Sequence, residues 1–240
     1  MTTRKKPWLG WHWLLPSRKL QYAPFSRVRS GRALKARGAL SLCHNGMHAS
    51  RRALDALNYA PGPVICRVIL EGEIIEGDDK ACARIRKCLW MADATEVLHR
   101  FACRVAWEAL KAERNVGREP PAASWEAIRV KLRWLSGKAT TEELSAAWSA
   151  AGSAADSPAE SAASFAASFA ARSAAWSAAG SPAWSAARST AESAAWRAAR
   201  SAAESPAGSA AESPAGSAAE DKMNRTLEYM LRQLKPRAKA

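Results

Sequence analysis

The sequence predicts an α+β N-terminal domain followed by an all-α, Ala-rich tetrapeptide-repeat tail. Three observations carry this. Val64, Ile65, Val68, Ile69, Leu70, Ile74 and Ile75 crowd one run between Pro61-Gly62-Pro63 and Gly77-Asp78-Asp79, which is a strand signal bounded by turns. Val97, Leu98, Phe101, Val105 and Leu110 then recur at helical spacing. From Ser145 to Glu220 the chain falls into nineteen gapless tetrads of consensus Ser-Ala-Ala-x, and a repeat fixes an architecture of its own.

Taken in order, Trp11 to Leu15, Pro16-Ser17 and Lys19 to Ala23 predict a hairpin, with aromatic and branched residues on either side of a short turn signal. Residues 24–38 are basic and punctuated by Pro24, Gly31 and Gly38, so a loop or edge strand is expected. Ala39 to Cys43 is a short apolar run before the Asn45-Gly46 turn pair. Ser50 is expected to cap a helix through Ala53, Leu54, Ala56 and Leu57, ending near Tyr59. The strand Val64–Glu76 follows, interrupted at Gly72, and Cys88 to Met91 predicts another. Asp93 then caps a helix to Lys111, and Gly117 to Pro121 is a linker. A helix spans Ser124 to Leu135, stopped by Gly137, and a further one starts at the acidic turn Thr141-Glu142-Glu143, where negative charge suits a helix N-terminus.

The repeat favours helix, because Ala is the best helix former and Ser costs only about 0.5 kcal/mol. A four-residue period advances about 400° per unit, so its Ser stripe drifts around the helix and leaves no fixed polar face. Pro158, Pro182 and Pro206 each follow a serine, and Ser-Pro is a good start for a new helix. Two helices broken at these positions are therefore expected, with frayed or coil-like chain beyond Ser205. A low-complexity spacer remains open beside packing of the tail on itself, on the N-terminal domain or on a second copy. The tryptophans favour packing, since aromatics are scarce in disordered chains. Met223, Leu227, Met230, Leu231 and Leu234 finally make an apolar stripe that ends before Pro236. The expected organisation is a basic α+β domain at 7–111, a linker and helical connector at 112–144, the repeat at 145–220, and an amphipathic C-terminal helix at 221–236. The residues expected to mediate association are Trp148, Phe165, Phe169, Trp176, Trp184 and Trp196, with Leu227 and Leu231.

Charge is distributed unevenly. The formal net charge is +14, and residues 1–60 hold twelve Lys/Arg against the single acid Asp55. Within them Arg18, Lys19, Arg27, Arg29, Arg32, Lys35, Arg37, Arg51 and Arg52 are interleaved with Trp11, Trp13, Tyr22 and Phe25. Cations among aromatics are the composition of a surface that tracks phosphates and stacks bases. The same charge also suits a solvated face, or one that docks on the acidic tail. No zinc finger, helix-turn-helix or RNP phrase accompanies it.

Other chemistries are expected to be absent. No apolar run is long enough to span a membrane, and the basic-apolar start Met1–Pro16 lacks a small-residue cleavage site, so no signal peptide is expected. Five cysteines without a disulfide rhythm predict a reducing compartment. Cys43, His44 and His48 cluster in sequence, but there is no Cys-x-x-Cys pair, and no metal site is expected. Neither a phosphate-cradling glycine loop nor a nucleophile elbow exists.

Several phrases occur together: the Trp11-His12-Trp13-Leu14 segment, Cys43-His44-Asn45-Gly46-Met47-His48-Ala49-Ser50, Ala53 to Gly62, and Leu89-Trp90-Met91-Ala92-Asp93-Ala94. In these the chain resembles an uncharacterised family found in bacteriophage, prophage and actinobacterial genomes, whose members also carry Ala-rich, Trp-studded tails. The resemblance covers about residues 8–108 and the tail in style, and it implies a phage setting without a mechanism. Within it, Gly46 to Ser50 running into the helix with Ala53 and Tyr59 is similar to the strand-to-helix segment of ADP-ribosyltransferase folds. That likeness implies NAD as cofactor, His12 on the first core strand, His48 in the place of a stacking Tyr, and Glu71 or Glu73 as the acid that orients a ribose hydroxyl, with Glu73 taken for the catalytic set.

The function expected from all this is that of a non-enzymatic, phage-type accessory protein in the host cytoplasm. Its basic domain would engage a polyanion such as nucleic acid, or a host protein, and its tail would mediate self-association. One alternative is an ADP-ribosyltransferase-like enzyme using NAD. The other is an anti-defence factor that sequesters a host protein or a nucleotide signal. Outside the enzymatic alternative no cofactor is expected.

Overall fold

The structure, a computed structural model, describes residues 7–22, 26–115, 117, 119–155 and 212–236. The helices expected at Pro158, Pro182 and Pro206 lie outside the described residues. The chain divides into two compact units, Met1–Ala94 with Leu227–Ala240, and Thr95–Thr226.

The first unit is an antiparallel sheet with a short helix. Its strands are β1 (Trp8–Leu14), β2 (Ala33–Lys35), β3 (Met47–Ala49), β4 (Val64–Glu76) and β5 (Ala81–Asp93), with α1 (Ala53–Leu57) between β3 and β4. The sheet order is β1-β4-β5-β2, and β3 also pairs with β5. Beyond its pairing with β5, β3 leads into Ser50, which exchanges two backbone hydrogen bonds with Trp11 of β1, at 2.7 and 3.1 Å. The sheet thus curls until its third strand meets its first. Gly10 permits that closure: a Cβ there would lie 2.9 Å from the Ser50 carbonyl and 3.2 Å from Ala49 Cβ. Inside the curl lie Trp8, Leu14, Val64, Cys66, Val68 and Leu70, packed with Ala81, Ala83, Cys88 and Met91.

The expected strand at Val64–Glu76 forms with those bounds. Its pairing with β5 slips between Glu71 and Ile74, where Gly72 adopts φ 81°, a left-handed conformation that glycine enters without steric cost. The turn at Gly77 closes the hairpin, its N–H donating to the Lys80 carbonyl at 2.8 Å.

Several sequence expectations are corrected. Trp11–Leu15 does not pair with Lys19–Ala23; β1 pairs from Trp8↔Leu70 to Leu14↔Val64 with β4, and Lys19 makes only an isolated bridge to Arg27. Trp11 and Trp13 are each 1% exposed and stand opposite Arg67 and Ile65 of β4, whereas the Lys19 segment is exposed and polar. Ser50 does not cap α1: held in the Trp11 bridge, it lies two residues before the N-cap position, which is Arg52 and makes no side-chain cap bond. The strand expected at Cys88–Met91 is the end of a longer one, since Ala81–Lys87 is drawn into the sheet by β4 on one edge and by β2 and β3 on the other.

The second unit is helical among its described residues: α2 (Thr95–Asn115), α3 (Ala122–Leu135) and α4 (Thr141–Ala155). Ala102, Cys103, Ala106 and Leu110 of α2 pack on Trp125 and Ile128 of α3, and Ala127 and Val130 on the far side of α3 meet Leu144 and Ala151. The acidic turn closes a reciprocal cap. Thr140 Oγ1 accepts from the Glu143 N–H at 3.1 Å, and Glu143 Oε2 from the Thr140 N–H at 2.7 Å.

The last helix, α5 (Glu212–Arg232), starts well before the expected 221. The stretch Ser213-Pro214-Ala215-Gly216, expected to be frayed, is its first turn, where a proline lacks no hydrogen bond that the helix would otherwise make. Leu227 and Leu231, in the part of α5 that belongs to the first unit, are fully buried. Among the described residues no helix is long and apolar enough to cross a membrane.

Candidate nucleic-acid interface

The sheet edge at β2 carries the exposed charge. Arg27, Arg29, Arg32, Lys35 and Arg37 are exposed, as are Arg18 and Lys19 beside them. None of the seven is ion-paired among the described residues, whereas the next arginines are: Arg51 with Glu76 at 3.0 Å, Arg52 with Asp55 at 3.4 Å and Arg84 with Glu73 at 2.9 Å. The segment is held by backbone bonds, Gly31 N–H to the Cys88 carbonyl and Cys88 N–H to the Arg32 carbonyl. Val28 and Leu34 also pack into the core from this segment, so its exposed cations take no part in anchoring it. Arg51 also lies over the Trp8 ring at 4.5 Å, so it and Arg52 serve the fold.

Next to this edge, an open cleft of about 680 Å³ lies on the outer face of the same unit. Its floor is a row across three strands, with Trp11 opposite Arg67 and Arg67 opposite Trp90 in the β1–β4 and β4–β5 registers. The Arg67 guanidinium stacks 4.4 Å over the Trp11 ring, and Trp90 stands edge-on to Trp11 with centroids 5.9 Å apart. Arg232 and Lys235 form one wall, and Ser30, between Arg29 and Gly31, part of another. Among the described residues no carboxylate lines the cleft, though Glu228 pairs with Arg232 at 2.8 Å and its charge acts on Arg67. Burial lowers the Arg67 pKa, and Arg67 Nη1 has no hydrogen-bond partner in the structure.

A polar cluster occupies the inside of the curled sheet. Arg86, 5% exposed, donates from Nη1 to the His48 carbonyl at 2.6 Å, while its Nη2 has no partner. Burial pulls its pKa down to about 10. His12 stands opposite Cys66 in the β1–β4 register, and burial, then the charge of Arg86, then His48, hold it well below the usual imidazole range. Cys66 and Cys88 share a hydrogen bond that raises the first thiol and lowers the second, with Arg86 further favouring the Cys88 thiolate. The cluster ties β5 to β3 and keeps both imidazoles neutral near pH 7.

The residues of the enzymatic reading are thus placed as follows. His12 and His48 interact electrostatically. His48 stands opposite Cys82, while its neighbours Met47 and Ala49 are buried, and its Nε2 accepts from the Cys43 N–H at 3.2 Å. Glu73 is exposed and tied to Arg84, and Glu71 is exposed opposite Ile85. Of the association residues, Trp148 packs partly buried against the α3–α4 contact, and Leu227 and Leu231 are buried within their own unit. Phe165, Phe169, Trp176, Trp184 and Trp196 lie outside the described residues. All five cysteines are free, and no group of three His, Cys, Asp or Glu side chains that could hold a metal occurs among the described residues.

Arg67, Arg86, Trp90, Arg232 and Lys235 escape the sequence reading as site residues. One of them left a signal: Arg67 is a charge inside the most apolar strand. A buried cation needs a partner or a use.

Residues 15–100 match a family described as "Domain of unknown function (DUF7666)". No curated protein matches the chain, and no solved structure does.

Proposed function

We propose that the first unit binds single-stranded nucleic acid along its β2 edge. The observation that carries this is the run of exposed cations Arg18, Lys19, Arg27, Arg29, Arg32, Lys35 and Arg37 along one edge of the sheet, none ion-paired among the described residues. Cations that stabilised the fold would be expected to find carboxylates, as Arg51, Arg52 and Arg84 do. Cations kept unpaired on a backbone-anchored segment are positioned for phosphates, whose condensed counterions they release on binding. Trp90, half-buried beside Ser30, supplies a ring on which a base can stack. The tail's role in this reading is association, through residues outside those described.

The test is the salt dependence of binding of the whole chain to a single-stranded oligonucleotide. Log affinity should fall against log salt with a slope of about −0.7 for each phosphate neutralised. Replacing Arg27, Arg29, Arg32 and Arg37 by Gln should flatten that slope by roughly two to three units. No binding at about 50 mM salt, or a slope that the replacements leave unchanged, would overturn the assignment.

A further inference from the structure

We propose that the cleft floored by Trp11, Arg67 and Trp90 is a binding site for a nucleoside phosphate, with the base against Trp90 and the phosphate held between Arg67, Arg232 and Lys235. The volume of about 680 Å³ suits a ligand of that size, since small-molecule sites typically span roughly 300–1,000 Å³. Among the described residues the lining combines rings with three cations, Arg67, Arg232 and Lys235, and the nearby Glu228 offsets one of those charges, so the cleft favours a planar anion over a cation.

Two details separate the cleft from ordinary sheet packing. Arg67 and Trp11 stack on one another, and the buried Arg67 Nη1 has no hydrogen-bond partner among the described residues. That nitrogen is closed to solvent, so an anion in the cleft is drawn by the charge of the half-buried Arg67 and bonded by the exposed Arg232 and Lys235. Trp90 is pinned at 83° to Trp11 by an edge contact, which orients the ring without covering it, and Trp90 stays partly exposed. Arg232 has its carboxylate partner, Glu228, at 2.8 Å along the helix, but its side chain remains 64% exposed. A guanidinium offers five donors, so this pairing leaves others for a phosphate.

The chemistry fits either a free nucleotide or one nucleotide unit of a strand. It does not depend on the β2 edge binding a strand: the edge and the cleft can fail separately. Isothermal titration of the whole chain with AMP, adenosine and inorganic phosphate tests the site. AMP should saturate one site, with adenosine and phosphate each weaker by about tenfold or more, because each makes only half of the contacts. Replacing the exposed Arg232 and Lys235 by Gln should weaken AMP by about tenfold without moving the thermal unfolding midpoint. Trp90→Phe should keep AMP binding within about threefold, and Trp90→Ala should lose it. Phosphate binding as tightly as AMP, an unchanged affinity in the Arg232→Gln, Lys235→Gln protein, or no AMP heat at millimolar concentration would overturn the site. Competition by a 5′-phosphorylated oligonucleotide assigns the source: displacement of AMP means a strand's nucleotide, and no displacement a free one. Salt-dependent strand binding by an unaltered chain that takes up no AMP would sink the cleft and leave the β2 edge standing.

Discussion

Lys131 of α3 is fully buried, its ammonium without a hydrogen-bond partner and 4.5 Å from the Trp134 ring centroid. Burial pulls its pKa down to about 8, against a small opposing effect of Cys103. The unfolded chain, with an ordinary lysine, binds the extra proton up to about pH 10.4. Stability therefore rises with pH between those two values, and below pH 8 the full cost of a buried cation applies. Lys131→Met should stabilise the protein at pH 7 by about 2–3 kcal/mol, and the gain should shrink toward pH 10. Urea midpoints of the two proteins at pH 7 and 9.5 measure it; an equal or growing gain at 9.5 would refute the buried-ammonium account. Comparing the two proteins matters because Cys103, whose thiol burial pushes up to about 12, pulls stability down over an overlapping range. At this scale the sequence is least legible. A lysine in a helix reads as surface, and only the three-dimensional packing of α2 on α3 turns it inward. Arg67 is the opposite case, a charge whose setting among Val64, Ile65, Val68 and Ile69 already marks it as unusual.

Legibility improves with the element and follows its side chains. The strand Val64–Glu76 is legible because β-branched residues fit a pleated surface whatever lies beside them. Ala81–Lys87 is not, because alanine, arginine and lysine carry little strand preference and this segment takes its conformation from its neighbours. The same holds for β1, whose strand character is evident but whose partner is not: a hairpin is the local solution, and pairing with the distant β4 the one adopted. Curling the sheet so that Ser50 reaches Trp11 depends on Gly10 more than on any propensity. Gly10→Ala would place a methyl group against the Ser50 carbonyl and Ala49, backbone and rigid side chain that cannot swing away. It should cost about 2 kcal/mol or more, read as a lower thermal midpoint, with β-sheet circular dichroism retained. An unchanged midpoint would show that the β1–β3 closure relaxes freely.

For the whole molecule, the first unit is assembled from both ends of the chain. Leu227 and Leu231 are 0% exposed, and Glu228 accepts from the Ala53 N–H at 3.4 Å. A chain ending at Thr226 loses both leucines at once, and should be less stable by about 4 kcal/mol or more, since a buried leucine truncated to alanine alone costs 2–5. Binding of a hydrophobic dye by the shortened chain, absent in the full one, would report the uncovered sheet; identical urea curves would dismiss the idea. The sequence shows the apolar stripe on this helix but not its destination. An amphipathic face states that a partner exists, while the identity of that partner is a property of the fold.

The discontinuity sets a timetable. Thr95–Thr226, 132 residues, separates the sheet from the helix that covers it. A ribosome adding roughly 5–20 residues per second needs about 7–26 seconds to cross that interval. Through that time the newborn sheet lacks Leu227 and Leu231, and its exposed apolar surface is open to aggregation. The cleft between Arg67 and Trp90 gains its second wall only after Lys235 has been made. Synthesis that stalls inside the serine-alanine tract would therefore release a protein with its sheet formed, its basic edge complete and its cleft half built.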